Sequence, residues 1–283
     1  MSKIKKTAVL LLLSYFIFSF LYAQESYIVK GNSIGDIEVT YIANEGFLIS
    51  SGATKILIDA LFVRNDGIYA TPDKDILDNM EKGEPPFDNV DIIMVTHNHS
   101  DHFTPDHVAR ALKNNPETVL VTTPQAVGDI KNCGDFTENI SDRLITCDLE
   151  IGKSISKSVK GLDIKIFRTP HSGTNNETQN FIYLINLDGR KILHEGDARR
   201  DVKTFENLNL ENENIDIAFG HTWYLFDPAG REVLTKHFKP KQFVLMHISN
   251  NSFEAVIDRF EDFKIYFNNV NVFKKKLDKK VFE

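Results

Sequence analysis

Six residues, His97-Asn98-His99-Ser100-Asp101-His102, put three imidazoles and a carboxylate on one short stretch. Neutral imidazole nitrogens and carboxylate oxygens are the donors that zinc and its divalent neighbours take. The apolar run ahead, Val90-Asp91-Ile92-Ile93-Met94-Val95-Thr96, reads as a buried strand. Phe103-Thr104-Pro105-Asp106 behind reads as a turn into a helix. Four potential metal donors therefore sit on a tight loop at a strand's end, a density of His and Asp that composition alone rarely produces.

Three later patches carry the same donor types: Thr169-Pro170-His171-Ser172-Gly173, Glu195-Gly196-Asp197 and Val244-Leu245-Met246-His247. Each follows a strand-like run, Ile164–Thr169, Lys191–His194 and Phe243–Met246 respectively. Strand ends gathered on one sheet edge can meet at a point although they are scattered in sequence. An earlier run, Lys55-Ile56-Leu57-Ile58-Asp59-Ala60, also ends in a carboxylate. His194 closes the strand before Asp197 and could orient a ligand or simply pack there. Gly220-His221-Thr222-Trp223-Tyr224 lies at another strand end, where His221 or Tyr224 could face a cleft and contact substrate. The alternative is a loop held down by its aromatic residues. His107 and His237 fall on helices away from these patches and read as surface residues.

In this order the patches resemble the His-x-His-x-Asp-His pattern of the metallo-β-lactamase-fold hydrolases, over most of the chain from about Ile37 to about Phe260. The resemblance implies an α/β fold, a four-layer αββα sandwich with mixed sheets. It implies His97, His99 and His171 at one divalent cation, Asp101, His102 and His247 at another, and Asp197 bridging the two. It also implies Asp59 beneath the metal loop, holding its backbone. The true β-lactamases of that family usually carry Cys or Ser where Asp197 stands; hydrolases with a shared carboxylate carry Asp. Within the family, Asn44-Glu45-Gly46-Phe47, Asp59-Ala60-Leu61 and Phe87-Asp88-Asn89-Val90-Asp91 are similar to the branch of ascorbate-6-phosphate lactonase and the N-acyl-phosphatidylethanolamine phospholipase. That branch handles lactones and phosphodiesters. No obvious cluster of Arg and Lys near the ligands marks a phosphate site.

The expected activity is that of an exported binuclear hydrolase. A hydroxide held between two divalent cations would attack an ester, lactone or phosphodiester, with Asp101 accepting a hydrogen bond that orients it. Zinc suits the donors best, and Mn2+ or Fe2+ would also fit. Hydrolysis of β-lactams is the rival activity, favoured by export and disfavoured by Asp197. A non-catalytic metal-binding protein is a third reading, disfavoured because structural zinc closes itself with about four ligands. A flavo-diiron protein fits poorly, since no flavin-binding domain follows.

The elements that must position these residues are legible in outline. Lys3, Lys5 and Lys6 precede an apolar run from Ala8 to Leu21, and Leu21-Tyr22-Ala23 offers a cleavage site before Gln24. This is the order of a secretory signal; residues 1–23 are expected to be removed, with a retained membrane anchor as the alternative. Residues 24–283 then form one hydrolase domain. The net charge of −7 becomes about −10 without the three lysines, which disfavours nucleic acid as a partner and leaves a small molecule as the expected substrate. The oligomeric state is open. The two cysteines, Cys133 and Cys147, fall in no ligand motif, and export permits but does not require a disulfide.

Strands are expected at Ile37–Ala43, Phe47–Ser50 and Lys55–Ala60, joined by turns at Asn44-Glu45-Gly46 and Ser51-Gly52. Leu61–Asn89 is a long connection, with a short helix from Asp73 to Lys82, that reads as part of the cleft wall. Helices follow at Pro105–Asn114 and Pro124–Lys131 around a strand at Thr118–Thr122. Short strands are then expected at Leu144–Asp148, Ser154–Val159, Leu162–Arg168, Phe181–Leu187 and Arg190–His194, the last two joined by Asp188-Gly189. A helix near Arg199–Asn207, a strand at Ile215–Gly220, a helix near Ala229–His237, a strand at Gln242–Met246 and a helix at Phe253–Phe263 complete the domain. The Lys274–Lys280 end reads as a solvated edge.

Overall fold

Alternating apolar residues build two seven-stranded sheets in the computed structural model, which describes residues 35–173 and 177–283. The expected signal segment lies outside the described residues. No helix among the described residues is long and apolar enough to cross a membrane.

The first sheet holds β1 (Ile37–Ala43), β2 (Gly46–Ser51), β3 (Thr54–Ile58), β4 (Ile92–Met94), β5 (Val119–Val121), β6 (Leu144–Ile145) and β14 (Lys279–Phe282), in the order β14-β1-β2-β3-β4-β5-β6. The second holds β7 (Ser154–Val159), β8 (Leu162–Pro170), β9 (Gln179–Leu187), β10 (Arg190–His194), β11 (Ile217–His221), β12 (Gln242–Met246) and β13 (Val270–Asn271), in the order β13-β12-β11-β10-β9-β8-β7. Both sheets follow one plan. Four neighbouring strands pair antiparallel, β14 to β3 and β7 to β10, and three more then join in parallel. This matches two related halves, a duplication that the sequence itself does not display.

The period-2 alternation sorts the side chains into layers. Ile37, Val39, Phe47, Ile49, Ile56 and Ile58 meet Ile164, Ile166, Phe181, Tyr183 and Ile185 between the sheets. The opposite face of the first sheet, with Leu48, Leu57, Ile93 and Leu120, is covered by helices Lys74–Lys82, Pro105–Asn114 and Pro124–Asn132. The outer face of the second, with Phe167, Ile182, Leu184, Leu193 and Phe243, packs on Phe205, Tyr224, Leu234, Phe238 and Phe263. The result is the four-layer αββα sandwich. Pro105 opens its helix where a missing N–H is harmless, and Val108 and Leu112 are buried on one face. Burying each contributes about 1.5–3 kcal/mol, which anchors the far end of the His97–His102 loop.

Several expected elements take other forms. Arg199–Asn207 is not a helix. It holds a 3-10 turn, Val202–Thr204, whose Thr204 N–H donates to the Asp201 carboxylate at 2.8 Å. Phe205 and Leu208 leave helical spacing to reach the core. The helix expected at Ala229–His237 is Pro228–Glu232 continued as a π-turn over Val233–Phe238. The last helix starts earlier, at Asn250–Asp258, and resumes as Phe260–Phe263. The Lys-rich end is not merely a solvated edge, because Lys279 and Lys280 enter β14 and pair with Thr40 and Val39 of β1. Cys133 and Cys147 are both free; one packs in the outer layer of the first sheet, the other between the sheets.

Candidate metal centre

The His97–His102 loop is closed by its own backbone and held from below by Asp59. His102 N–H and Phe103 N–H both donate to the His99 carbonyl, at 3.1 and 3.0 Å. Asp59 ends β3 beside the parallel β4, in a left-handed conformation with φ 44°. One carboxylate oxygen accepts Thr96 N–H at 2.8 Å; the other accepts the Thr96 hydroxyl and His102 Nδ1–H, the latter at 3.0 Å. A single buried carboxylate thus ties both ends of the loop.

The other expected donors arrive on the second sheet. His171 follows β8 and Asp197 follows β10, and their loops are sewn together by Ser172 N–H donating to the Asp197 carbonyl at 2.7 Å. The parallel strands β10, β11 and β12 bring Asp197, His221 and His247 to the same sheet edge, as the pairings His194 with Phe219 and His221 with Met246 require. Asn44, in the turn between β1 and β2, links the two sheets. Its side chain donates to the Asp101 carbonyl at 3.0 Å, and its carbonyl accepts His247 N–H at 3.3 Å.

Seven expected ligands therefore meet. His97 Nε2 lies 3.3 Å from His171 Nε2, and Asp197 Oδ2 stands 3.4 Å from His171 Nε2 and 3.9 Å from His97 Nε2. His99 closes this group edge-on, its ring centroid 4.5 Å from that of His171. On the other side, Asp101 Oδ2 lies 3.4 Å from His247 Nε2 and 3.9 Å from His102 Nε2. Asp197 faces both groups, with Oδ2 3.8 Å from His102 Nε2 and Oδ1 3.7 Å from His247 Nε2.

The hydrogen bonds around the rings aim their lone pairs inward. His102 Nδ1 is taken by Asp59 and His171 Nδ1 by the Ser172 carbonyl at 2.6 Å. The Thr96 hydroxyl gives its proton to Asp59, so at 3.1 Å it can only accept from His97 Nδ1. All three imidazoles direct Nε2, the atom a cation would take in place of a proton, into the cluster. His97 and His171 direct two such atoms at each other, which a shared cation explains and a hydrogen bond does not. His102 Nε2, Asp197 Oδ1, His247 Nδ1 and Glu45 Oε2 are buried with no hydrogen-bond partner. Native interiors rarely leave such atoms unsatisfied, so the donor set fits divalent cations.

The electrostatics agree. Burial pushes the Glu45 carboxyl well above its usual range, and the charges of Asp197, Asp59, Glu195 and Asp101 push it further. Five carboxylates this close repel one another until cations intervene. Burial alone would lower His102, but the hydrogen bond and charge of Asp59 raise it to about 9. Burial would raise Asp101, but His247 and His102 hold it down at about 2. Burial, helped by His102, drives His97 well below the usual histidine value.

His194 is fully buried. Its Nε2 faces the Glu45 carbonyl at 3.1 Å and its ring stacks on Phe219, so it supports the turn that carries Glu45. His221 and Tyr224 are not at a cleft mouth, contrary to the expectation of substrate contact. Tyr224 is enclosed by Phe205, Phe238 and Phe243, and its hydroxyl donates to the Glu195 carboxylate. His221 is buried beneath the cluster, with its backbone N–H on Glu195 at 3.1 Å. Burial leaves neither side chain a face for substrate.

The residues missed in the sequence are Glu45, Glu195, Arg64, Tyr69 and Arg200. The Tyr69 ring stacks on His247 at 4.2 Å, with the Arg64 guanidinium 5.5 Å above it. Arg64 Nη1 also reaches Asp101 Oδ2 at 2.9 Å, and Arg200 Nε donates to His221 Nδ1 at 2.9 Å. Two arginines thus flank the donors, although no cluster of Arg and Lys marked them in the sequence. The first part of the Leu61–Asn89 connection does wall the site. Glu45 lay in the expected turn Asn44-Glu45-Gly46 with nothing to mark it as a donor, and nothing local marked the arginines.

Comparison with known proteins agrees with this architecture. A beta-lactamase superfamily domain matches residues 38–247. A metal-dependent hydrolase of Thermococcus onnurineus is 27% identical over 235 residues, spanning 81% of this chain and 91% of the relative. A metallo hydrolase from Ignicoccus hospitalis superposes with a TM-score of 0.57 at 18% identity, covering 88% of this chain and 99% of that one. An isothiocyanate hydrolase from Delia radicum gut bacteria gives a TM-score of 0.55 at 15% identity, covering 87% and 99%. At such identities the structures speak for the fold alone.

Proposed function

On the footing that this chain belongs to the beta-lactamase superfamily and is a metal-dependent hydrolase, we propose that it works with two divalent cations on an ester, lactone or phosphodiester bearing an anionic group. The observation that carries the reading is the convergence of imidazole and carboxylate atoms around Asp197, with His102 Nε2, Asp197 Oδ1 and Glu45 Oε2 buried and unpartnered. His97, His99, His171 and Asp197 would hold one cation; Asp101, His102, His247 and the same Asp197 the other. When bound, the cations would bring the pKa of a water between them toward neutrality and polarise the scissile group.

The chain's own residues have separate tasks. Asp59 and the Ser172 carbonyl fix the ligating tautomers of His102 and His171. Asp101 presents a carboxylate, held low by His247 and His102, that can accept a hydrogen bond from the nucleophilic water. Arg64 and Arg200 bring positive charge to the rim beside Tyr69, which favours an anionic substrate. Zinc suits the imidazole-rich donor set, with Mn2+ or Fe2+ as alternatives. We further propose that residues 1–23 direct export and are removed, so that the exported protein begins near Gln24; N-terminal sequencing that finds Met1 would make the segment an anchor.

Elemental analysis of reloaded protein should find about two metal equivalents per chain. A panel of lactones, phosphodiesters and β-lactams, run with zinc-, manganese- and iron-loaded protein, should give turnover on the first two classes. The discriminating variant is Asp197→Asn. If it keeps both metals at wild-type affinity and works at the wild-type rate, the shared-carboxylate reading fails.

A further inference from the structure

We propose that Glu45 supplies an additional carboxylate oxygen to the cation position of Asp101, His102 and His247, making the two positions chemically unequal. This rests on the binuclear reading above. Glu45 sits in the tight turn between β1 and β2, which closes over Gly46 and excludes water from the side chain. One oxygen, Oε1, accepts His221 Nε2–H at 2.8 Å. The other, Oε2, has no hydrogen-bond partner although it is buried. His102 Nδ1, 3.6 Å from Oε2, is already committed to Asp59 at 3.0 Å. His247 Nδ1, 4.0 Å from Oε1, is likewise without a partner. A buried carboxylate oxygen with no donor is costly unless a cation faces it. Donor atoms of Glu45, His102, Asp197 and His247 all lie within 4.8 Å of one another.

The consequence is an asymmetry in donor chemistry. The position of His97, His99 and His171 has three imidazoles and the shared Asp197, a set suited to four-coordinate zinc. The other position has two imidazoles with Asp101, Asp197 and Glu45. Three carboxylates favour a harder cation of higher coordination number, such as Mn2+. His221 holds one Glu45 oxygen, which leaves the other to turn toward the cation.

The test uses full-length protein stripped by chelation and reloaded with one equivalent of zinc. Mn2+ is then titrated while the signal of free Mn2+ is followed by electron paramagnetic resonance. Wild type should take up one Mn2+ beside the zinc. Glu45→Gln keeps the size of the side chain and an acceptor for His221; it should weaken Mn2+ uptake by about tenfold or more while zinc content stays unchanged. Equal Mn2+ affinity in the two proteins would overturn the proposal and leave Glu45 as an anchor for His221. Wild type that binds zinc and refuses any second ion would overturn the binuclear reading itself, a different result. A second measurement needs no variant: Co2+ added to the zinc-loaded wild type should show the weak visible absorption of a five- or six-coordinate ion. An intense four-coordinate spectrum would exclude the extra donor.

Discussion

His221 Nε2 donates to Glu45 Oε1 at 2.8 Å and stands 3.0 Å from Asp197 Oδ1, so one imidazole lies between two carboxylates of the centre. Arg200 Nε donates to His221 Nδ1, which fixes the proton on Nε2. Burial, with the Arg200 charge, keeps the ring neutral by holding its pKa well below the usual value. His221 is therefore a positioning residue for Glu45, set against the proposed bridging carboxylate. His221→Phe should fill the space, remove the donor and weaken the tighter metal equivalent roughly 10–100-fold, the usual loss when a ligand's hydrogen-bond partner goes. Calorimetric titration of metal-free protein reads this directly. Unchanged affinity would mean that His221 only fills space beneath the cluster.

Gly196 places Asp197, and its conformation admits no substitute. Its φ is +56°, and an added Cβ would come within 2.7 Å of both Asn180 Oδ1 and Thr96 Cβ. Asn180 Oδ1 also accepts Asp197 N–H at 3.0 Å, so the clash falls on the bond that orients the carboxylate. Gly196→Ala should cost on the order of 2–3 kcal/mol, from left-handed backbone strain and forced displacement of the Thr96 and Asn180 side chains. Denaturant unfolding of the metal-free protein would detect it. A loss below about 0.5 kcal/mol would show that the loop relaxes freely.

The parts of this architecture that were legible in sequence depend on local physics. β1, β10, β12 and the helix Pro105–Asn114 have the expected bounds, because β-branched alternation and a proline at the first helical position act over a few residues. The seven donors were legible because each ends a strand-like run. What was not legible depends on distant partners. Glu45 became part of the site only through His221, 176 residues away. Tyr224 read as a cleft residue until the turn at Trp223–Phe226 carried it into the core of the outer layer. Arg64 has no motif around it; its role comes from meeting Asp101 and Tyr69 across the connection. The β14 edge strand has no apolar run to announce it and is defined by the free edge of β1.

Away from the centre, Glu213 gives a pH test of the fold. Its carboxylate meets Lys165 Nζ at 2.6 Å and Lys191 Nζ at 2.8 Å. Burial would raise its pKa, but the two ammonium groups outweigh it and hold it below the ordinary glutamate range. A depressed carboxyl stabilises the fold above its unfolded pKa, about 4.3. That contribution is lost as pH falls through the lower folded value. Glu213→Gln should therefore cost on the order of 1 kcal/mol at pH 7, and the gap to wild type should close below about pH 4. Urea unfolding at a series of pH values checks both limbs. A gap that persists unchanged in acid would show that the pair contributes by packing rather than by charge.

Arg64 separates substrate recognition from support of the metal centre. Its guanidinium contacts Asp101 at 2.9 Å, lies over Tyr69 and keeps part of its surface open. If it recognises an anionic group, Arg64→Met, which keeps the aliphatic stem, should raise KM for an anionic substrate about tenfold, the value of one charge-assisted hydrogen bond. A neutral ester with the same reacting centre should be almost unaffected, and metal content should stay at the wild-type level. If Arg64 acts instead by holding Asp101, both substrates should lose kcat by the same factor, because Asp101 faces the reacting atoms and not the remote anion. The matched pair of substrates, assayed with metal content measured on the same preparation, distinguishes the two. An equal loss on both would withdraw the anionic group from the proposed substrate and leave the hydrolase reading in place.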